Sequence, residues 1–333
     1  MMDLSIIIVN WNSAEYLKKC LDSINIHARG VQFEVLVVDN ASFDGCAELL
    51  SSNFPAVRFI QSTDNLGFAK ANNLAFIHSS GRVLLFLNPD TEITKGALEQ
   101  MMSVYESQPD AGIVGCRLLN GDLTLQECCV QAFPTIWNEV LDDTRLQHWF
   151  PRSGLWGNAV LYERGPCTAQ VDCVSGACLM IKREVFEAVG QFTTDYFMYA
   201  EDRDLCYKVR QKGYKTYFTD AAEVIHYGAT SSDSRPESNF AIVMRCQSLL
   251  TFMRIRRGAL HARAYRFAMA GAALIRLALL AALSIVFMGG ARRRKVRNAR
   301  HKWASILRWA IGLESWVETY PLARDESQGG VVA

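Results

Sequence analysis

The residues best suited to chemistry stand where short apolar runs end. Asp90 follows Val83-Leu84-Leu85-Phe86-Leu87, where a buried strand must surface. Hard cations such as Mg²⁺ and Mn²⁺ take oxygen ligands, and one or two carboxylates with phosphate oxygens suffice to hold them. An aspartate after Pro89 could equally shape a turn and cap the next helix. Asp39 closes a second apolar run, Val35-Leu36-Val37-Val38. A carboxylate there could accept the imide N–H of a pyrimidine base, or form a turn. Asn65, Gly67, Asn72 and Asn73 offer amides and a flexible glycine, to a ligand or to caps and turns. Further on, the stretch from Tyr196 to Asp204 sets aromatic residues around Glu201, Asp202 and Asp204. A carboxylate in that setting suits a general base. Acidic residues are also favoured in the first turn of a helix by its dipole. His226 ends the run Ala222–Ile225 and could give a nitrogen to a metal, or be structural.

The elements that position these residues follow from apolar spacing. Strands are predicted at Leu4–Val9, Glu34–Val38, Val57–Gln61 and Arg82–Leu87, and helices at Ala14–Ile24, Gly45–Ser52, Asn72–Ser79 and Ile93–Ser107. Alternation of this kind predicts an α/β domain with a mostly parallel sheet and helices on both faces. Such sheets bind ligands at the carboxyl ends of their strands. The polar groups Asn10-Trp11-Asn12, Asp39-Asn40 and Asn88-Pro89-Asp90 lie there. Residues 112–166 read as loops and short strands on an acceptor side. A strand at Val171–Ile181, helices at Glu184–Val189 and Asp202–Lys212, and strands at Tyr214–Phe218 and Ala222–His226 complete the domain.

The chain has 333 residues and a formal net charge of +1, which conceals an asymmetry. Residues 238–313 contain no Asp or Glu and fifteen Lys and Arg; without those fifteen the remainder stands at −14. Within this basic region Ala241–Ile255 reads as a helix. Residues 268–290 carry only Arg276 as a charge, flanked by Arg263, Arg266 and Arg292-Arg293-Arg294-Lys295. That segment is just long enough to span a bilayer. A central arginine costs roughly 3 kcal/mol in a span. Positive flanks on both sides suit a re-entrant or interfacial segment, with a span or a soluble packing helix as the alternatives. The start of the chain reads as a buried strand, not as a signal peptide. The ten cysteines, Cys128-Cys129 included, lack zinc or CxxC spacing and suit free thiols in a reducing compartment.

Seven stretches in order resemble the inverting family-two glycosyltransferases of GT-A fold, and most of all the rhamnosyltransferase-type branch of bacterial cell-surface polysaccharide assembly. They are Ile8-Val9-Asn10-Trp11-Asn12, Val37-Val38-Asp39-Asn40-Ala41-Ser42-Phe43-Asp44-Gly45, Asn65-Leu66-Gly67-Phe68-Ala69 with Asn72-Asn73, Leu87-Asn88-Pro89-Asp90-Thr91, Ser175-Gly176-Ala177, Phe197-Met198-Tyr199-Ala200-Glu201-Asp202, and Val224-Ile225-His226-Tyr227-Gly228. They cover about Leu4–Ser232, two-thirds of the chain.

The resemblance implies a nucleotide-sugar donor held by Asp39 at the base. Val9, Asn10, Asn12 and Asn40 line the slot with Asn65, Gly67, Asn72 and Asn88. It further implies a divalent metal, Mg²⁺ or Mn²⁺, on Asp90, the last position of an Asp-x-Asp-like motif whose first position here is Asn88. His226 is a further ligand. Asp202 is the expected catalytic base with Glu201 beside it, and Gly176, Ala177 and Tyr199 face the acceptor. The expected donor is dTDP-rhamnose, with UDP-galactofuranose, UDP-glucose or another hexose donor as alternatives. The expected acceptor is a polyprenyl-diphosphate-linked glycan, met at an anionic membrane surface on the cytoplasmic face by a peripheral or re-entrant enzyme. The implied organisation is a GT-A domain over residues 1–235, split near 110 into donor and acceptor halves, a basic helical region over 236–320 and a disordered tail over 321–333. Rival readings are a non-catalytic nucleotide-binding scaffold, a same-fold transferase with a non-lipid acceptor, and a basic nucleic-acid arm. The last is disfavoured, because the apolar run beside the arginines fits a membrane and no nucleic-acid motif accompanies it.

Overall fold

The structure is a computed structural model that describes residues 2–141, 168–228, 239–286 and 290–320. Two compact units divide them. One takes residues 2–133, 168–196 and 201–228; the other takes 134–141, 197–200, 239–286 and 290–320.

The first unit is built on one sheet. Its strands are β1 (Leu4–Asn10), β2 (Phe33–Asn40), β3 (Arg58–Ser62), β4 (Val83–Leu87), β5 (Thr91–Ile93), β6 (Ala111–Leu119), β8 (Thr168–Val171), β10 (Cys178–Lys182) and β11 (Lys215–His226). The spatial order is β3-β2-β1-β4-β10-β6-β11-β5, with β8 also paired to β11. Strands β1 to β4, β6 and β11 run one way; β10, β5 and β8 oppose them. A pair of two-residue strands, β7 (Val130–Gln131) and β9 (Cys173–Val174), forms a separate ribbon. Strands β1, β2 and β4 are apolar on both faces because helices cover both. Those helices are α1 (Ala14–His27), α2 (Cys46–Asn53), α3 (Gly67–Ile77) and α4 (Ala97–Ser107), with α6 (Arg183–Ala188) and α7 (Glu201–Gln211) later in the chain. The core they enclose includes Ile6, Ile8, Leu36, Leu85, Phe86, Met180 and Phe186.

Several elements differ from the sequence expectation. The helix predicted over Ile93–Ser107 begins only at Ala97, because Thr91–Ile93 pairs with Val224–His226 as a strand. Residues 112–119, expected to lie among loops and short strands, belong to a central nine-residue strand, Ala111–Leu119. Gly112 and Gly115 disguise it. Gly115 lies so close to Val174 that a Cβ would sit 2.5 Å from that side chain, so this glycine serves packing and not a turn. The single strand predicted over Val171–Ile181 is three strands, broken at Asp172 and at Ser175–Ala177. The two strands predicted over 214–226 are one, with a register irregularity between Thr219 and Glu223.

The second unit is helical: α5 (Ile136–Val140), α8 (Asn239–Arg257), α9 (Ala259–Val286), α10 (Gly290–Ala310) and α11 (Trp316–Thr319). Its interior holds Val243, Phe252, Met253, Tyr265, Ala273 and Trp309. The basic stretch after Gly290 is itself a helix, α10. None of the nine cysteines among the described residues is in a disulfide. The tail expected to be disordered, 321–333, lies outside the described residues, as do residues 142–166 of the expected acceptor side.

Candidate active site

Strand order reverses at β1, which has β2 on one side and β4 on the other. The carboxyl ends of these strands form a crevice where α/β sheets bind ligands. Parallel register sets Asn10 beside Asp39 and Asp39 beside Gln61.

Asn10 is fully buried. Its Nδ2 donates to Asp39 Oδ1 at 2.9 Å and lies 3.3 Å from both Ser42 Oγ and Asp44 Oδ2. Asp39 Oδ2 accepts from the Ser42 backbone N–H at 3.0 Å and from Gln61 Nε2 at 2.8 Å. Burial alone would raise the Asp39 pKa; the hydrogen bonds from Asn10, Gln61 and Ser42 outweigh it and hold the carboxyl below the usual carboxylate range. Asn10 Oδ1 is buried without a hydrogen-bond donor among the described residues. Such an acceptor fits a site completed by a ligand.

Asn40 pins the neighbouring loop: its Oδ1 accepts from Leu66 N–H at 2.8 Å and its Nδ2 donates to Asn65 Oδ1 at 2.8 Å. Asn65 Oδ1 also accepts from Gly67 N–H. Asn12, at φ 51°, accepts from the Phe43 N–H and donates its own N–H to Ser42 Oγ. Val9 is half-buried at the end of β1. Asn72 stands apart: it is buried, and its Nδ2 donates to the Phe68 carbonyl of its own helix. Asp44 was not singled out from the sequence. It accepts from the Ala14 N–H at 2.8 Å and so caps α1 from another loop.

A second cluster joins Asp90 to Asp202 through the backbone. His226 Nε2 lies 3.4 Å from Asp90 Oδ1 and 3.4 Å from Asn88 Nδ2. Gln126 Nε2 donates to the His226 carbonyl at 2.7 Å, which turns Gln126 Oε1 toward His226 Nδ1 at 2.9 Å. Gln126 Oε1 can only accept, so Nδ1 carries a proton, and Nε2 is the ring nitrogen that faces Asn88 and Asp90. The Asn88 N–H donates to the Ala177 carbonyl at 2.9 Å, and the Gly176 N–H donates to Asp202 Oδ2 at 2.9 Å. A Cβ on Gly176 would lie 3.2 Å from Asp202 Cβ and 3.4 Å from Oδ2, so the missing side chain permits this approach. Asp202 Oδ1 accepts from the Arg203 N–H at 2.7 Å. Glu201 is buried at the head of α7. Tyr199 belongs to the second unit. It and Ala200 have φ of 71° and 64°, two successive left-handed non-glycine residues just before the helix.

Asp90 and His226 offer an oxygen and a nitrogen to one point. Among the described residues no group of three His, Cys, Asp or Glu is placed to hold a metal. Two protein ligands nonetheless fit a hard cation whose remaining positions go to phosphate oxygens and water. Gln126 then has the place of the partner that orients a ligating histidine. It lies in the loop after β6 and shows no local sequence signal.

Comparison with known proteins bears on this arrangement. Residues 5–190 match the Glycosyl transferase family 2 model. The N-acetylglucosaminyl-diphospho-decaprenol L-rhamnosyltransferase of Mycobacterium tuberculosis is 26% identical over 312 residues, covering 90% of this chain and 99% of that protein. The rhamnosyltransferase WbbL of Escherichia coli is 25% identical, covering 67% of this chain and 82% of that protein. Among solved structures, the mannosyltransferase PcManGT of Pyrobaculum calidifontis aligns with a TM-score of 0.59 at 19% identity, over 94% of this chain and 88% of its own.

Proposed function

Because the chain belongs to glycosyltransferase family 2 and is a glycosyltransferase, we propose that it transfers rhamnose from dTDP-rhamnose to a polyprenyl-diphosphate-linked glycan, in an inverting, metal-dependent reaction. The sugar and the acceptor class rest on the two rhamnosyltransferases it resembles, one of them named for a diphospho-decaprenol acceptor. The observation that carries the site assignment is the bonded path from Asp202 through Gly176, Ala177 and Asn88 to His226 and Asp90.

In this reading Asp39, kept ionised, accepts the imide N–H of the thymine base. Asn10 presents its free oxygen to the donor, and Asn12, Asn40 and Asn65 hold the loops around it. Asp90 and His226 hold the divalent ion, which when bound offsets the negative charge that builds on the departing diphosphate. Asp202 takes the proton of the acceptor hydroxyl. The acceptor oxygen attacks the anomeric carbon from the face opposite the leaving group. The carbon–oxygen bond to dTDP breaks as the new one forms, and the configuration inverts. Gly176 and Arg203 N–H groups each engage one Asp202 oxygen and orient the carboxylate, leaving lone pairs for the hydroxyl. The enzyme works at the cytoplasmic face of the membrane, where its basic region is drawn to anionic lipid by about 1 kcal/mol per well-placed residue.

A donor screen tests this. Purified protein is given Mg²⁺ or Mn²⁺ and a panel of nucleotide-sugars, and melting and slow donor hydrolysis are followed with and without EDTA. Metal-dependent stabilisation by dTDP-rhamnose above UDP-hexoses is expected. Asp202→Asn should keep that stabilisation and lose about 10²–10⁴-fold in transfer. Indifference to every nucleotide and metal by folded protein would overturn the reading and favour a scaffold.

A further inference from the structure

Helix α9 (Ala259–Val286) is the one described helix long and apolar enough to cross a membrane. The packing within its own unit argues otherwise. Ala262, Tyr265, Met269, Ala272 and Ala273 are buried on one face. The Tyr265 ring lies 6.0 Å from that of Trp309 on α10. Arg266 donates to the carbonyls of Ala310 and Trp309. Arg276 donates to the Val140 carbonyl at 2.8 Å and sits 4.2 Å over the Trp303 ring. The helix is thus held by its neighbours as far as Arg276.

Beyond that residue ten remain, 277 to 286. They rise about 15 Å, half of the roughly 30 Å hydrocarbon core. A span would have to tear Arg276 and Tyr265 from their partners and carry the arginine into lipid. One leaflet needs neither.

The outer surface of α9 suits such a leaflet. Leu274, Ile275, Leu279 and Leu283 are exposed, as are Ala278, Ala281 and Ala282. Pairing of residues 265 and 266 with 309 and 310, and of 276 with 303, makes α9 and α10 antiparallel. Seven residues onward from Arg276 is Leu283; seven back from Trp303 is Val296. The exposed apolar turns therefore lie alongside the first turns of α10, where Arg294, Lys295, Arg297 and Arg300 are exposed. No acidic residue occurs from 238 to 313 to counter them. Apolar side chains beside uncompensated cations match an acyl layer beneath anionic headgroups.

We propose that the second unit docks into one leaflet of an anionic membrane: the Leu274–Leu283 surface enters the acyl boundary, the arginines of α10 meet the headgroups, and α9 does not cross. This deepens the membrane location given above and rests on it.

The test uses full-length protein and vesicles of phosphatidylcholine with or without phosphatidylglycerol, read by co-sedimentation. Binding should require phosphatidylglycerol, weaken with salt and be reversed by alkaline carbonate. Leu279→Glu with Leu283→Glu should lower binding by about tenfold or more, with melting and donor hydrolysis unchanged. Arg294→Glu with Arg297→Glu should reduce it to the level seen with phosphatidylcholine alone. Carbonate-resistant protein would mean a span and overturn the proposal. So would vesicle binding indifferent to both variants, or a lipid-free dimer that the leucine variant dissociates. Vesicle binding without any donor hydrolysis would count against the transferase chemistry and leave the docking intact.

Discussion

His226 illustrates how much a single neighbour decides. Its Nε2 faces Asp90 while Gln126 Oε1 meets Nδ1, and Gln126 is held there by its own bond to the His226 carbonyl. Gln126→Leu removes both. Mn²⁺ affinity, read from metal-dependent melting in the presence of donor, should fall about 10–100-fold, while Gln126→Glu, which keeps an acceptor at Nδ1, should lose less. Equal losses in the two variants would deny Gln126 this orienting role. Asp39 makes a pH-dependent contribution. Its folded carboxyl titrates below the ordinary value of about 3.9. The stability it contributes is therefore complete above that value and lost as pH falls through the lower folded value. Urea unfolding of wild type and Asp39→Asn should differ most near neutrality and converge in strong acid; a constant gap would contradict the hydrogen-bond account. The roles proposed for Asp39, Asp90 and Asp202 come from the resemblance. Single aspartates at strand or helix ends also read as turns and caps, and it took seven motifs in order to set that aside. Asn72 shows the converse: it belongs to a motif, yet its described bond serves its own helix.

Among elements, the short link between β9 and β10 matters more than its length suggests. It brings the Gly176 N–H to Asp202 and the Ala177 carbonyl to Asn88, so one turn joins both halves of the site. Gly176→Ala would place a Cβ 3.2 Å from Asp202 Cβ, and the carboxylate must give by a few tenths of an ångström. A displacement of that size should lower kcat about tenfold or more, with KM for the donor little changed, since Asp39 and Asn10 are untouched. A rise in donor KM with constant kcat would mean that Gly176 serves the donor instead. The first four strands were readable because each is a continuous apolar run between turn residues. Strand β6 was not: its glycines look like loop signals, yet Gly115 is there to admit Val174 and Gly112 to admit Val209 and Tyr214. Likewise Thr91–Ile93 carries no strand signature apart from its partner in β11.

At the scale of the whole molecule the chain joins a sheet-based unit to a helical one. The contrast of charge between the basic stretch of 238–313 and an acidic remainder needs no coordinates, because it is a sum over residue types. Fold class, family and the identity of the chemical groups come from the sequence by itself for a related reason: strand periodicity and ordered motifs are local, and each survives without knowledge of what packs where. What only the tertiary structure decided are the relations between distant positions. Residue 126 meets 226, residue 176 meets 202, and residue 276 is held by 140 and 303. From the sequence alone the segment 268–290 reads as a possible span or as a re-entrant or interfacial segment; the partners of Arg276 are the observation on which the one-leaflet proposal rests. Hydropathy counts the residues in a segment. It does not register which of their polar groups are already satisfied elsewhere in the fold, and burying an arginine is costly in lipid and not when a carbonyl and an indole ring receive it.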